Sequence, residues 1–187
     1  MTDQTATPVT PRLSATVMLL RDQPDGLEVF KDERHRQIEF ASGAVFFTGG
    51  SHDASDRDPR LPSVSDGADG LDQETLALRV AAAREAFEEC GVLFARDPAT
   101  GNLVDGHRAA ELGARYRKRL EADEIGMADV AEAEGLRIAL DQLTRFAHWV
   151  TPVHMRKRFD THFFLAPAPF DHTLEHDGNE AVDSVWI

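Results

Sequence analysis

Three glutamates near the middle of the chain, Glu85, Glu88 and Glu89, have the spacing needed to act together. In an α-helix of about 3.6 residues per turn, positions i, i+3 and i+4 share one face, so the three carboxylates would be neighbours. Like charges at that separation repel one another, and a hard divalent cation bound through oxygen ligands relieves the repulsion. The spacing therefore predicts a site for Mg²⁺ or Mn²⁺, although a solvated acidic helix face has the same pattern.

The residues around these acids predict a helix that positions them. Asp72 and Gly91 have the side-chain types of a helix N-cap and a helix C-cap. Arg84 lies four residues before Glu88, so we expect the two to form an ion pair. Apolar residues recur on the opposite face, at Leu76, Val80, Ala83, Phe87 and Cys90. One side of the helix is thus expected to pack while the other presents the acids.

Composition limits the partners and the compartment. The chain of 187 residues is long enough for one domain with a sizeable core. Its net charge of −13 argues against nucleic acid as the main partner. The single cysteine, Cys90, excludes an internal disulfide framework and is expected in the core. With no signal peptide and no membrane-spanning run, we expect a cytoplasmic protein without a membrane partner.

Apolar runs and turn residues outline the remaining elements. Strands are predicted at 13–20, 27–31, 44–48, 145–150 and 159–165. Helical periodicity predicts helices at 107–122 and 127–133, within a helical insertion at 107–142. These helices have two alternative roles, either shaping the mouth of a substrate site or forming a homodimer contact. Residues 1–12 are interpreted as a disordered tail, and 53–71, rich in Asp, Ser, Pro and Gly, as an exposed loop.

The segment from Arg84 to Val92 resembles the second half of the Nudix box, the signature of hydrolases that cleave a nucleoside diphosphate linked to another group. The matching positions are Arg84, Glu85, Glu88, Glu89, Gly91 and Val92. A strand that runs into Gly49-Gly50 resembles the opening of the box, with Thr48 at the usual proline and Asp56 at the usual glutamate. The resemblance implies an α/β/α sandwich with a mixed sheet, formed by residues 13–187.

The resemblance also implies roles for single residues. Arg84, Glu85 and Glu88 would be catalytic, with Arg84 orienting a carboxylate and Glu85 acting either as a metal ligand or as the general base. Glu88 and Glu89 would be metal ligands, and the backbone of Gly50 would complete the shell of Mg²⁺ or Mn²⁺. A non-catalytic ligand-binding module with the same fold is the alternative from another class of protein.

Further segments resemble one subgroup, that of the peroxisomal coenzyme A diphosphatase, which carries an insertion inside the box. These segments are 82–93, 149–152 and 158–165. The resemblance implies hydrolysis of coenzyme A or acyl-CoA, with NADH, ADP-ribose and capped nucleotides as alternatives.

Two further features are candidates for substrate contact. The basic cluster of Arg156, Lys157 and Arg158 has the charge to attract substrate phosphates, and a solvated hairpin edge is the alternative. Glu180 lies in a segment that resembles the family's last strand, which carries a glutamate near the site, with Glu175 as the second candidate for that position and an exposed loop acid as the alternative. The expected partner is therefore a small nucleotide-linked diphosphate.

Overall fold

The computed structural model describes residues 9–34, 45–169, 171–172, 174 and 181–187. Its strands are β1 (Arg12–Gln23), β2 (Gly26–Arg34), β3 (Val45–Phe46), β4 (Gly49–Ser51), β5 (Ser65–Asp66), β6 (Ala95–Arg96), β7 (Arg137–Ala139), β8 (Thr144–Val150), β9 (Phe159–Pro167) and β10 (Ala181–Trp186). Its α-helices are α1 (Leu61–Val64), α2 (Gln73–Cys90), α3 (Gly106–Glu121) and α4 (Met127–Glu134). Single 3₁₀ turns occur at Ser55–Arg57 and Leu140–Gln142.

The main sheet is mixed. Its strand order is β10-β2-β1-β9-β8, with β3 paired to β2 and β4 paired to β1. Strands β1 and β9 are parallel, while β2, β4 and β8 join their neighbours antiparallel. A sheet of this kind, combined with several helices, confirms the predicted α/β fold with a mixed sheet.

Helix α2 packs against β1 and is buried on most of its surface. Because alternate residues of a strand share one face, Ala15, Val17 and Leu19 of β1 are buried together. The apolar positions predicted for α2 are all buried, and Phe87 is completely so. Replacing such a phenylalanine with alanine costs about 3–5 kcal/mol. Burial extends to Glu85 and Glu88, so the acids do not lie on an open helix face as the sequence pattern suggested.

The ends of α2 follow its predicted caps. The Asp72 side chain accepts a hydrogen bond from the Thr75 backbone N–H at 2.8 Å, which satisfies a first-turn donor. Gly91 adopts the left-handed conformation with φ of 73°, which glycine reaches without a Cβ penalty. The helix that holds the acids therefore begins after Asp72 and ends before Gly91, as the capping residues predict.

The segment 53–71 is not the exposed loop that its composition suggested. It contains the 3₁₀ turn, α1 and β5, and it buries Asp56, Leu61 and Ser65. Strand β5 pairs with β7, which also pairs with β6, in a second small sheet. The insertion at 107–142 is therefore not wholly helical, since it supplies β7 to this sheet. Asp56 is buried because Arg84, distant in the sequence, provides its partner, and composition does not reveal such a partner.

Two other local predictions also need correction. The strand predicted at 44–48 is limited to Val45–Phe46 in the described residues, and Gly49 begins a separate strand, β4. Residues 1–8 of the predicted tail lie outside the described residues, whereas Arg12 already belongs to β1.

Among the described helices, none has both the length and the apolar character required to span a bilayer.

Candidate active site

A cavity of about 340 Å³ lies where α2, β4 and the end of α3 meet. The lining residues are Gly49, Gly50, Ser51, His52, Asp53, Arg84, Glu85, Glu88, Glu89, Leu120, Glu121 and Asp123. All three glutamates predicted from the spacing on α2 thus face one space, together with Arg84 and Gly50.

Arg84 connects these groups. The residue is 5% exposed, and its Nη1 donates to Glu88 Oε2 at 3.0 Å, which is the contact predicted from their spacing. Nη1 also lies 3.0 Å from Glu85 Oε1. The Nη2 atom donates to the Ser51 carbonyl at 3.1 Å, which ties the helix to the end of β4. Arg84 therefore holds the acidic helix face in place against the glycine strand.

Asp56 is the second partner of Arg84, a role that sequence analysis did not assign. It accepts from Nε at 3.0 Å and from Nη2 at 3.2 Å, and it is 1% exposed. Burial raises the pKa of Asp56, and the hydrogen bond from Arg84 opposes this rise. The resemblance to the Nudix box could have indicated this role, because it places Asp56 where the box usually has a glutamate.

The charge of Arg84 is stabilised by the acids around it. Burial alone would lower the pKa of Arg84, but the hydrogen bond to Asp56 and the charges of Asp56, Glu85 and Glu88 raise it overall. Arg84 therefore remains a cation, and removing one member of such a buried pair typically costs about 3–5 kcal/mol.

Glu88 carries the clearest sign of an unsatisfied acid. Burial raises the pKa of Glu88 to about 8, with Arg84 opposing the rise and Glu85 adding to it. Its Oε2 is held by Arg84, whereas its Oε1 is buried and has no hydrogen-bond partner. A buried carboxylate oxygen without a donor is costly, and a cation bound to it would remove that cost.

The two glycines of β4 allow a close approach to these acids. The Gly49 N–H donates to Glu89 Oε2 at 2.8 Å. A Cβ added at Gly50 would lie 2.3 Å from Glu85 Oε1, far inside van der Waals contact. At Gly49, an added Cβ would lie 2.4 Å from the carbonyl oxygen of Ala15 on β1. Glycine is therefore required at both positions because any side chain would displace an acid or the sheet.

The cavity has a strongly negative lining. Its six carboxylates, including Glu121 and Asp123 from the end of α3, face a single guanidinium, that of Arg84. An anionic diphosphate would be repelled by this lining unless cations were bound there. The carboxylate oxygens of this lining suit hard divalent cations such as Mg²⁺ or Mn²⁺.

Arg117 of α3 supports the C-terminal end of α2. Its Nε and Nη2 donate to the Glu88 carbonyl at 3.0 and 2.5 Å, and Nη2 also donates to the Glu89 carbonyl at 3.2 Å. The last carbonyls of a helix lack partners within it, so this contact satisfies them. Sequence analysis missed Arg117, because nothing in the pattern of α3 marks which arginine faces α2.

The basic cluster does not line this cavity. Arg156 and Lys157 are exposed in the connection between β8 and β9. Arg158 donates instead to the carbonyls of Thr151 at 3.0 Å and Val9 at 2.7 Å, so it holds the backbone of the hairpin. Glu180 lies outside the described residues, and its predicted role stays a prediction.

A second cavity, of about 870 Å³, lies at the opposite end of β1. Its lining includes Arg21, Leu165 and Trp186 but none of the acids of α2. Volume alone would favour this cavity, whereas the convergent titratable groups and the perturbed pKa of Glu88 favour the smaller one.

Known proteins share both the sequence pattern and the fold. Residues 57–187 match the family model described as NUDT19 Nudix domain. The crystal structure of a NUDIX hydrolase from Alicyclobacillus acidocaldarius is 29% identical, with a TM-score of 0.74 over 95% of this chain and 78% of that one. That of a MutT/nudix family protein from Enterococcus faecalis is 14% identical, with a TM-score of 0.52 over 98% of this chain and 46% of that one. At 14% identity the latter supports the fold alone.

Proposed function

This chain belongs to the Nudix hydrolase family and is a pyrophosphohydrolase, and from that premise we propose that its site on α2 cleaves the diphosphate bond of coenzyme A or acyl-CoA. The observation that carries the proposal is the buried Glu88 Oε1, which lacks a hydrogen-bond partner among the other acids of the cavity. The match to the NUDT19 model and the resemblance to the coenzyme A diphosphatase subgroup support this choice of substrate.

The residues present fit a divalent cation. Glu85, Glu88 and Glu89 line one cavity, Glu88 offers an unpartnered oxygen, and the absence of a side chain at Gly50 lets the Glu85 carboxylate lie against β4. These acids, with the Gly50 backbone, would hold Mg²⁺ or Mn²⁺. When bound, such ions would neutralise the charge of the diphosphate and lower the pKa of an attacking water.

The side chains around the metal site have different roles in binding and catalysis. Arg84 orients the Glu88 carboxylate through the 3.0 Å contact to Oε2, which leaves Oε1 directed elsewhere. Asp56 holds the guanidinium of Arg84 from the other side. Glu85, at the glycine strand, serves either as a metal ligand or as the base that takes the proton of the attacking water. Exposed Arg156 and Lys157 supply positive charge for the additional phosphate of coenzyme A.

The test is a hydrolysis panel with Mg²⁺ or Mn²⁺ on coenzyme A, acyl-CoA, NADH, ADP-ribose and capped nucleotides. We expect turnover of coenzyme A, detected as 4′-phosphopantetheine and 3′,5′-ADP. Glu88→Gln and Glu89→Gln should each lower kcat by about 100-fold or more, since loss of one stabilising contact in an active site has that size. Glu111→Gln, an exposed glutamate on α3 outside the cavity, is the matched control.

Full turnover in both glutamine variants would defeat the assignment of the site. Binding of coenzyme A without product would favour a non-catalytic binding module instead. Turnover of NADH or ADP-ribose with none of coenzyme A would keep the site and change the substrate.

A further inference from the structure

A second group of metal-ligating side chains lies on the main sheet, away from the acids of α2. It consists of His148 on β8 and of Asp160 and His162 on β9. One ligand atom from each residue lies within 4.8 Å of the other two. We propose that these residues, here called the His-Asp-His cluster, form a binding site for a transition-metal ion such as Zn²⁺.

The strand register brings the three side chains to one face. His148 and His162 are directly paired across the antiparallel strands β8 and β9. Paired residues have Cβ atoms about 4.5–5.5 Å apart. Asp160 lies two residues before His162, so it projects from the same face. The backbone thus places two imidazoles and one carboxylate together without a loop that has to reorganise.

Two imidazole nitrogens, rather than one, lie near the same carboxylate oxygen. Asp160 Oδ1 contacts His148 Nε2 directly and lies 3.7 Å from His162 Nε2. The two imidazole rings are stacked, with centroids 4.2 Å apart and an interplanar angle of 29°. One hydrogen bond would satisfy Asp160 and His148. The second imidazole, directed at the same carboxylate oxygen, is explained by an ion bound between all three donors.

The ligand types select a different ion from that of the acidic cavity. Imidazole nitrogen suits Zn²⁺, Fe²⁺, Ni²⁺ or Cu²⁺, whereas Mg²⁺ prefers oxygen ligands alone. His162 is almost fully buried, while the side chains of His148 and Asp160 are 41% and 34% exposed. Three protein ligands at a partly open surface leave at least one coordination position to water.

The His-Asp-His cluster and the acidic cavity are separate sites on one sheet. Ala15 of β1 pairs with Gly50 on one side and with His162 on the other. Two strand spacings, about 10 Å, therefore separate Gly50 from His162 along the sheet. None of the three residues of the cluster lines the acidic cavity. An ion at the cluster would join the edge strand β8 to β9, and its binding is measurable without substrate.

The experiment is calorimetric titration of metal-stripped protein with Zn²⁺, with excess Mg²⁺ present to occupy the acidic cavity. His148→Ala changes a partly exposed side chain on an edge strand, and Asp160→Asn keeps the shape of the side chain but removes its charge. We expect each to weaken Zn²⁺ binding by at least about 10- to 100-fold, the loss typical of removing even an indirect partner of a metal ligand. His154→Ala, an exposed histidine in the same hairpin, is the matched control and should bind as the unaltered protein does.

A Glu88→Gln/Glu89→Gln double variant separates the two sites, and it should keep Zn²⁺ binding because it leaves the His-Asp-His cluster intact. Visible absorption of bound Co²⁺ gives a second readout of nitrogen ligands, expected in the unaltered protein and reduced in His148→Ala. Equal Zn²⁺ affinity in the unaltered protein, His148→Ala and Asp160→Asn would overturn the proposal. Loss of Zn²⁺ binding only in the double glutamate variant would overturn it as well.

Discussion

The buried Glu88 carboxylate makes the stability of the metal-free protein depend on pH. In the folded chain, burial raises the pKa of Glu88 from 4.5 to about 8, against the opposing effect of Arg84. The unfolded chain loses this proton near the ordinary value of about 4.3–4.5. Between these two values the folded protein binds more protons than the unfolded chain, so the free energy of unfolding falls as the pH rises through this window.

The size of the effect follows from the two pKa values. A solution at pH 7 lies about 2.5 units above the unfolded value, and each unit corresponds to about 1.4 kcal/mol. At pH 7 the unfolded chain ionises Glu88 whereas the folded chain keeps it protonated, and this difference lowers the stability of the metal-free fold by on the order of 3 kcal/mol. Glu88→Gln removes this ionisation from the unfolded chain and keeps an oxygen for Arg84 to bind. For a chain of this length, the melting temperature should rise by about 6–12 °C.

Thermal unfolding in a chelator, at pH 5, 7 and 8, measures this difference between Glu88→Gln and the unaltered protein. The gain should shrink to about 1 kcal/mol or less at pH 5, because this pH lies only about half a unit above the pKa of Glu88 in the unfolded chain. Glu111→Gln is the control for loss of an exposed glutamate. Added Mg²⁺ should stabilise the unaltered protein but not the variant. A variant that is no more stable at pH 7, or whose gain is the same at pH 5 and pH 8, would refute the reasoning.

Three further predictions concern the same cavity. Asp56→Asn should lower the free energy of unfolding by about 3–5 kcal/mol, because Arg84 loses its buried anionic partner. Urea denaturation measures this free energy, and a loss of less than about 1 kcal/mol would contradict the prediction. Gly50→Ala should greatly reduce Mg²⁺-dependent turnover, because its Cβ displaces Glu85, and turnover equal to that of the unaltered protein would contradict this. Chelation should abolish turnover, and Mg²⁺ or Mn²⁺ should restore it; activity in excess chelator would exclude a metal-dependent reaction.

The acidic helix was predictable because its information is local. Glu85, Glu88 and Glu89 share a face through helical geometry alone, and the caps at Asp72 and Gly91 are formed by residues next to the helix. The Arg84–Glu88 contact follows from the same spacing. Family resemblance supplied the fold and the reaction, which the match to the Nudix model confirms.

The second small sheet and the burial of 53–71 were not predictable in this way. A stretch rich in Asp and Ser is typical of an exposed loop, yet Asp56 is buried against Arg84, and Asp66 pairs with Arg96 at 2.7 Å. The different environment of Arg158 within the basic cluster was also not predictable. The carbonyls that accept its hydrogen bonds come from Val9 and Thr151, and the local sequence around Arg158 does not identify them. The cytoplasmic location and the homodimer contact stay predictions.

The sequence by itself determined which side chains share the face of α2, because neighbours along a helix follow from its pitch. Only the tertiary structure decided that Glu88 has a buried oxygen without a partner, that Asp56 anchors Arg84, and that two histidines and an aspartate meet on β8 and β9. Burial and strand register depend on segments far apart in the chain, so the spacing of residues within one segment does not predict either of them.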